Sequence, residues 1–200
     1  SMIVGRDPET LDEAGVSRAA IESLAENSSD GVIAPAFWLL IAGLPGLFAY
    51  KMLNTADSMI GHMNNKYRDF GRASAKFDDA ANWIPARLTG LMLVASGGLM
   101  LGSGKAAEAF GTMLRDARLH RSPNAGWPES AMAALTGLAL AGPRVYHGDI
   151  ANEPMLNAAG RRDAGPDDIG KAISITSMMF WLTALVAGAF VIIRCAFCTS

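Results

Sequence analysis

Ala172 to Ile193, AISITSMMFWLTALVAGAFVII, runs for twenty-two residues without one charged side chain. A helix needs about 20 predominantly apolar residues to cross the hydrocarbon of a bilayer, so this stretch is a spanning helix by length and chemistry. Three further charge-poor stretches precede it. Gly31 to Tyr50, GVIAPAFWLLIAGLPGLFAY, has the length, but Pro35, Gly43, Pro45 and Gly46 interrupt it. Those residues leave open a hairpin or re-entrant helix pair on one side and a single straight span on the other. Leu88 to Gly104, LTGLMLVASGGLMLGSG, is the next run. Ser130 to Pro143, SAMAALTGLALAGP, is too short to cross alone and fits a buried or half-membrane helix. With half its residues apolar and 18% charged, the chain sits on the membrane side of globular usage.

The polar segments between these runs read as helices. Asp7, Pro8, Glu9 and Thr10 open one, with Thr10 and Glu13 in capping-box spacing. From Val16 to Asp30, Val16, Ala20, Ile21 and Leu24 share one side, while Glu22, Glu26 and Asp30 form an acidic stripe on the adjoining face. Alternating apolar strand runs are absent, which makes the expected fold all-α: a polytopic helical membrane protein with re-entrant or broken helices, in one domain over 1–200. HRSPNAGWP and GRRDAGPDD read as loops or caps, and no internal repeat is visible. The opening SMIVGRDPETLDEAG is charged and has no apolar signal core, so it reads as the interior of a longer protein. A net charge of -2 gives no reason to expect nucleic acid as partner. Cys195 and Cys198, alone in CAFC, read as inert tail residues.

Three polar clusters abut the apolar runs. The first holds Arg18, Glu22, Glu26, Asn27 and Asp30; the second holds Lys51, Asn54, Asp57, Lys66, Arg68 and Arg72; the third holds Asp78, Asp79, Asn82 and Arg87. Carboxylates and amide carbonyls are the hard oxygen ligands that magnesium takes, usually together with water and nucleotide phosphates. Arg grips phosphate through its planar fork and Lys as a point charge. A site that activates a carboxylate with ATP needs both sets. Ionisable groups beside membrane helices are costly and by default point to function. The plainer reading stands beside this one: a solvated acidic face, Arg87 as a cation snorkelling to the interface, and pairing among Lys51, Asn54 and Asp57. No phosphate-binding glycine loop, dinucleotide fingerprint or HExxH motif occurs, and His62, His120 and His147 are dispersed as structural or surface residues.

These same strings resemble the adenosylcobinamide-phosphate synthase family of cobalamin biosynthesis (CobD/CbiB). The likeness is carried by IVGRDPETLDEAGVSRAAIESLAENSSDGVIAPAFW and by YKMLNTADSMIGHMNNKYRDFGRASAKFDDAANWIPARLTGL, with weaker matches in GWPESAMAALTGLALAGPRVYHG and the closing apolar helix. It implies a multi-pass protein of the bacterial inner membrane that joins adenosylcobyric acid to an aminopropanol, commonly as its phosphate, using ATP and magnesium. It further implies the lipid bilayer as surroundings, and a homo-oligomer or other corrin-pathway enzymes as partners. On that reading Glu22, Glu26, Asp78 and Asp79 are the candidate catalytic groups, and Glu26, Asp30 and Asp79 the candidate magnesium ligands. Arg18, Lys51, Asn54, Asp57, Arg68, Arg72, Asn82 and Arg87 are the candidate substrate and phosphate binders, with Asn27 orienting.

Two departures accompany the resemblance. Family members carry a further N-terminal block of membrane helices, so these residues correspond to the C-terminal two-thirds of a member. In WPESAMAALTG, Glu129 stands where the family has an apolar residue, although a glutamate in a first helical turn is favourable. Alternative readings of the same pattern are a membrane transporter component, with its broken helices and intramembrane charges, and a non-catalytic scaffold for corrin enzymes.

Overall fold

The computed structural model describes residues 12–60, 68–146, 149–151 and 153–198. Helix α1 (Glu13–Ser28) starts where the Asp12 side chain turns back to accept the Gly15 backbone N–H at 2.7 Å. Glu13 adds negative charge at the positive end of the helix dipole. The cap is therefore Asp12; Asp7, Pro8, Glu9 and Thr10 lie outside the described residues, and the expected capping box with them.

A π-helical turn, Ser29–Ile33, carries α1 into α2 (Ala34–Ile60). Inside α2 the backbone leaves helical geometry at Gly43, with φ 67° and ψ -159°, a conformation open to glycine at little cost. Two residues later Pro45 has no N–H with which to continue the ladder. Were the helix straight, residues 30 and 50 would stand about 30 Å apart. Instead the Tyr50 hydroxyl lies 3.0 Å from the Asp30 carbonyl oxygen. Gly46 comes so near the first arm that a Cβ there would stand 2.7 Å from the Trp38 carbonyl oxygen and 2.6 Å from the Ala42 Cβ. The chain doubles back at Gly43–Pro45. Of the two readings the sequence left open, the re-entrant hairpin is the one that forms.

Helix α3 (Arg68–Leu101) joins the third polar cluster and the second apolar run in one piece. Pro85 frees the carbonyl of Ala81 four residues back, and the Trp38 indole N–H of the hairpin donates to it at 3.2 Å. Gly102, at φ 94°, separates α3 from α4 (Ser103–Asp116). A 3-10 turn, Ala117–Leu119, and the loop 120–125 lead into α5 (Gly126–Thr136). α5 is buried on all sides but Trp127, and packs Ala131 to Leu135 against Ile21, Leu93, Met113, Ile175 and Met179. The first half of the third charge-poor stretch, Ser130–Thr136, is therefore a buried helix, and its second half leaves the helix at Gly137 and enters β1 (Leu140–Ala141).

After α5 the chain forms two antiparallel ribbons: β1 (Leu140–Ala141) with β4 (Met155–Leu156), and β2 (Arg144–Tyr146) with β3 (Asp149–Ala151). The sequence reading had no strands. These hold two or three residues each, too few to show alternation, and the fold remains all-α in class. Helix α6 (Pro166–Cys198) packs Ala172, Ile175 and Met179 into the core. Further along it leaves Trp181 73%, Leu185 70% and Ile192 70% exposed, an apolar flank suited to lipid rather than water. Near its end Arg194 donates to the Leu40 carbonyl at 3.2 Å, just ahead of the break in α2. Among the described residues, three helical stretches are long and apolar enough to cross a membrane: Glu13–Met59, Gly71–Leu101 and Pro166–Phe197. The first of them is folded on itself at Gly43.

The close approach at the hairpin yields a test. Gly46→Ala forces a methyl against backbone and should lower stability by about 1–3 kcal/mol. Gly188→Ala, inside α6 with nothing within 4 Å of its Cβ position, should keep stability or raise it by up to about 1 kcal/mol. Thermal unfolding midpoints in detergent measure both, and equal midpoints would show that the two arms are not in contact.

Candidate functional site

The foot of the hairpin meets the polar half of α3, and a connected set of side chains fills the junction. Tyr50 follows the Gly43 break by two helical turns, which sends its ring back to the π turn. Its hydroxyl lies 2.9 Å from Asn82 Oδ1 as well as 3.0 Å from the Asp30 carbonyl, and its single proton serves one acceptor at a time. Asn82 in turn donates from Nδ2 to Asp78 Oδ2 at 2.9 Å, one turn back along α3. The other Asp78 oxygen accepts from Asn54 Nδ2 at 3.4 Å, and Lys51 donates to Asn54 Oδ1 at 3.3 Å. Tyr50 and Asn82 are 3% and 1% exposed and Asp78 is 9% exposed, so this carboxylate is held at both oxygens in a largely enclosed place.

Further acids face this core. Asp30 lies within electrostatic reach of Glu26, Asp78 and Lys51, and Asp57 within reach of both Asp78 and Asp79. Asp79 Oδ1 accepts from Asn124 Nδ2 at 3.3 Å, and the same amide donates to the Asp79 backbone carbonyl at 2.9 Å. Five carboxylates thus form a chain of neighbours, with the Lys51 ammonium in reach of Asp30. Such a group attracts cations, either a hard metal ion or a protonated amine.

The structure sorts the predicted residues. Asp30, Lys51, Asn54, Asp57, Asp78, Asp79 and Asn82 come together, with Glu26 at the rim. Glu22 does not join them: it is 5% exposed and its Oε1 accepts the Ala141 backbone N–H at 2.8 Å, beneath β1. Asn27 bonds back to the Ser23 carbonyl on its own helix, Arg18 keeps a buried Nε without a hydrogen-bond partner among the described residues, and Arg72 is exposed. Lys66 and the side chain of Arg68 lie outside the described residues, as do His62 and His147. No three His, Cys, Asp or Glu side chains among the described residues stand close enough to hold a metal ion between them. The expected trio of Glu26, Asp30 and Asp79 is therefore not assembled, since Asp30 groups with Glu26 and Asp78 while Asp79 turns toward Asp57 and Asn124.

Arg87 is placed elsewhere, in a cavity two turns beyond Asp78 and Asp79. Its guanidinium stacks 3.9 Å from the Trp83 ring centroid and 4.5 Å from that of Trp127, and bonds the Trp83 carbonyl. Arg118 from the 3-10 turn and His120 and Arg121 from the 120–125 loop complete the wall. His120 faces Glu129 at 3.7 Å with both side chains buried, so the glutamate that departs from the family pattern has a buried partner. Sequence reasoning missed Tyr50, Asn124 and this loop. The signal available was two arginines, a histidine and a tryptophan within the connection RLHRSPNAGW, since connections carry binding residues more often than their irregular structure suggests.

The chain's relatives bear on this geometry. The family model described as CobD/Cbib protein matches residues 1–176. The chain is 64% identical over 193 residues to the "Cobalamin biosynthesis protein CobD" of Brucella anthropi, covering 96% of this chain and 59% of the relative. It is 61% identical over 175 residues to the protein of the same name from Rhizobium meliloti, covering 88% and 54%, and 55% identical over 175 residues to that of Rhodobacter capsulatus, again 88% and 54%. The chain thus spans less than two-thirds of the length of the curated relatives it matches. No solved structure matches it.

The hydrogen-bonded junction predicts two graded effects. Tyr50→Phe removes one net hydrogen bond and should cost about 0.5–1.5 kcal/mol, whereas Asn82→Ala strips a donor from enclosed Asp78 and should cost about 1–3 kcal/mol. Unfolding of the single and double variants checks this. Additive losses would show that the two residues do not act through one shared contact.

Proposed function

The chain belongs to the CobD/Cbib protein family, and on that premise we propose that it carries the acid-lined part of an adenosylcobinamide-phosphate synthase. The reaction is an ATP-dependent amide ligation between a propionate carboxylate of adenosylcobyric acid and the amine of aminopropanol or its phosphate. The protein sits as a multi-pass protein in the bacterial inner membrane, as a homo-oligomer or beside other corrin-pathway enzymes. The observation that carries this reading is the run of neighbouring carboxylates Glu26, Asp30, Asp78, Asp57 and Asp79, with Lys51 beside Asp30 and with Tyr50, Asn54 and Asn82 ordering Asp78 at the foot of a re-entrant hairpin.

In the first step the propionate oxygen attacks the γ-phosphorus of ATP, an acyl phosphate forms and ADP leaves. In the second the amine attacks the acyl carbon, the C–N bond forms, the C–O bond to phosphate breaks and inorganic phosphate departs. The amine arrives as a cation and must shed protons. Asp57 and Asp79, facing each other beside Asp78, draw the ammonium in and take up a proton as its nitrogen bonds. Asp78 is held by two amides and keeps its orientation throughout, and Lys51 places positive charge beside Asp30, where phosphate oxygens gather. The oxygen donors suit magnesium, which usually binds through one or two carboxylates plus nucleotide phosphates. When bound it offsets charge on the transferred phosphoryl group.

The broken hairpin favours a second reading, since transporters build their substrate sites from discontinuous helices. One assay separates the readings. The chain in detergent is mixed with adenosylcobyric acid, aminopropanol phosphate, magnesium and ATP, and amide product with ADP is expected. Asp79→Ala should lower product formation by about 10²–10⁴-fold, the span of a lost general base, with its unfolding midpoint retained. Corrinoid binding without ADP release would favour the transporter or scaffold reading, and full turnover in the variant would remove the α3 acids from the chemistry.

A further inference from the structure

The cavity around Arg87 has a volume of about 440 Å³ and is walled by Trp83, Arg87, Arg118, His120, Arg121 and Trp127. That volume lies within the range of small-molecule sites. Its charges do not balance. Arg121 pairs with Glu153 at 3.7 Å and His120 faces Glu129, but neither Arg87 nor Arg118 has a carboxylate partner among the described residues. The two guanidinium groups lie within electrostatic reach of each other, a repulsive arrangement unless an anion stands between them. Arg87 is also fixed in place, its guanidinium carbon over two indole rings and Nη1 on the Trp83 carbonyl, so its remaining donors are set before any ligand arrives. The tryptophan walls add apolar surface that a bare anion would not need but an organic phosphate would use.

We infer that this cavity is a phosphate site, in which Arg87 and Arg118 bind the phosphate group of a phosphate-bearing ligand and the Trp83 and Trp127 rings seat its organic part. The inference deepens the ligase reading and rests on it for the ligand's identity, because both ATP and aminopropanol phosphate carry such a group. The placement agrees with that use. Asp79, Trp83 and Arg87 follow at i, i+4 and i+8 on one face of α3, and Asn124 on Asp79 belongs to the same loop whose Pro123 and Arg121 line the cavity. A phosphate held at Arg87 therefore lies on the helix face that carries the acids. A phospholipid headgroup has the same phosphate chemistry and is the other source.

Calorimetry and intrinsic tryptophan fluorescence on the chain in a phosphate-free maltoside detergent test this. The probes are ATP without magnesium, aminopropanol phosphate, and aminopropanol lacking phosphate. The phosphate-bearing probes should bind and aminopropanol should not. Exposed Arg118→Gln should weaken binding by about ten-fold or more, the worth of a charge-assisted contact, at an unchanged unfolding midpoint. Arg87→Lys, which keeps the charge and loses the fork, should weaken it also, while Arg115→Gln outside the cavity should not. In a second arm, nanodiscs containing phosphatidylglycerol replace the soluble probes. Retention of that lipid that depends on Arg118, with no binding of soluble esters, would keep the phosphate site and assign it to lipid. Wild-type affinity of Arg118→Gln and Arg87→Lys for every probe would overturn the site, as would equal binding of aminopropanol and its phosphate. Failure of the ligase reading looks different: arginine-dependent phosphate binding with no amide product. Conversely, amide formation by Arg118→Gln at an unchanged KM for ATP and aminopropanol phosphate would overturn the cavity and leave the ligase.

Discussion

A backbone carbonyl without a donor in a water-free surrounding costs several kcal/mol, and α2 and α3 each create such carbonyls where Gly43, Pro45 and Pro85 interrupt their ladders. Side chains from other elements answer them. Trp38 of the hairpin donates to Ala81 of α3, and Arg194 of α6 donates to Leu40 at the approach to the break. Tyr50 of the second arm reaches back to Asp30 in the π turn. Each bond joins two pieces that apolar packing alone would leave free to slide, because hydrocarbon tails are as apolar as Leu and give no drive for helices to associate. The interruptions that make the hairpin possible thus also fix it against α3 and α6.

The polar site is a consequence of that fixation. Without the fold-back, Asp30 and Asn54 would belong to distant parts of one long helix. With it, the first, second and third polar clusters face one another across the hairpin and α3. The amides of Asn54 and Asn82 then hold the two oxygens of Asp78, and Tyr50 ties Asn82 to the turn. Glutamates and aspartates gathered this closely repel one another, and the packing that holds them together must supply the compensating energy. Energy stored in that way is released when a cation enters, which is why the arrangement suits a site better than a surface.

Much of this was legible in the residues, and the limits have physical causes. The apolar runs declared the membrane character, and the Gly-Pro content of Gly31 to Tyr50 declared a break, because length and backbone chemistry are local properties. Whether the break made a hairpin depended on a contact twenty residues apart, Tyr50 to Asp30, which no periodicity encodes. The acidic stripe shows the same limit: Glu22, Glu26 and Asp30 share a helical spacing. Yet the 138–161 segment covers Glu22 through Ala141, and the π turn, with its extra residue, rotates Asp30 away from the α1 register. Glu129 looked like a disturbance in an apolar helix start, and only the fold supplies His120 as its neighbour.

The same contrast explains why α3 carries two kinds of chemistry. Asp78 and Asp79 sit two turns before Arg87, a separation of about 12 Å along the axis. Trp83 stands between them, and its ring and carbonyl both engage the Arg87 guanidinium, one turn short of Asp79. A direct pair between Arg87 and Asp79 would neutralise acid and base as an ordinary surface pair of little worth. Asn124 performs the matching service from the other side, since its amide engages Asp79 Oδ1 and fixes that carboxylate at the loop. Separation of opposite charges on one helix face, enforced by an indole and an amide, keeps each group available for a ligand that needs both.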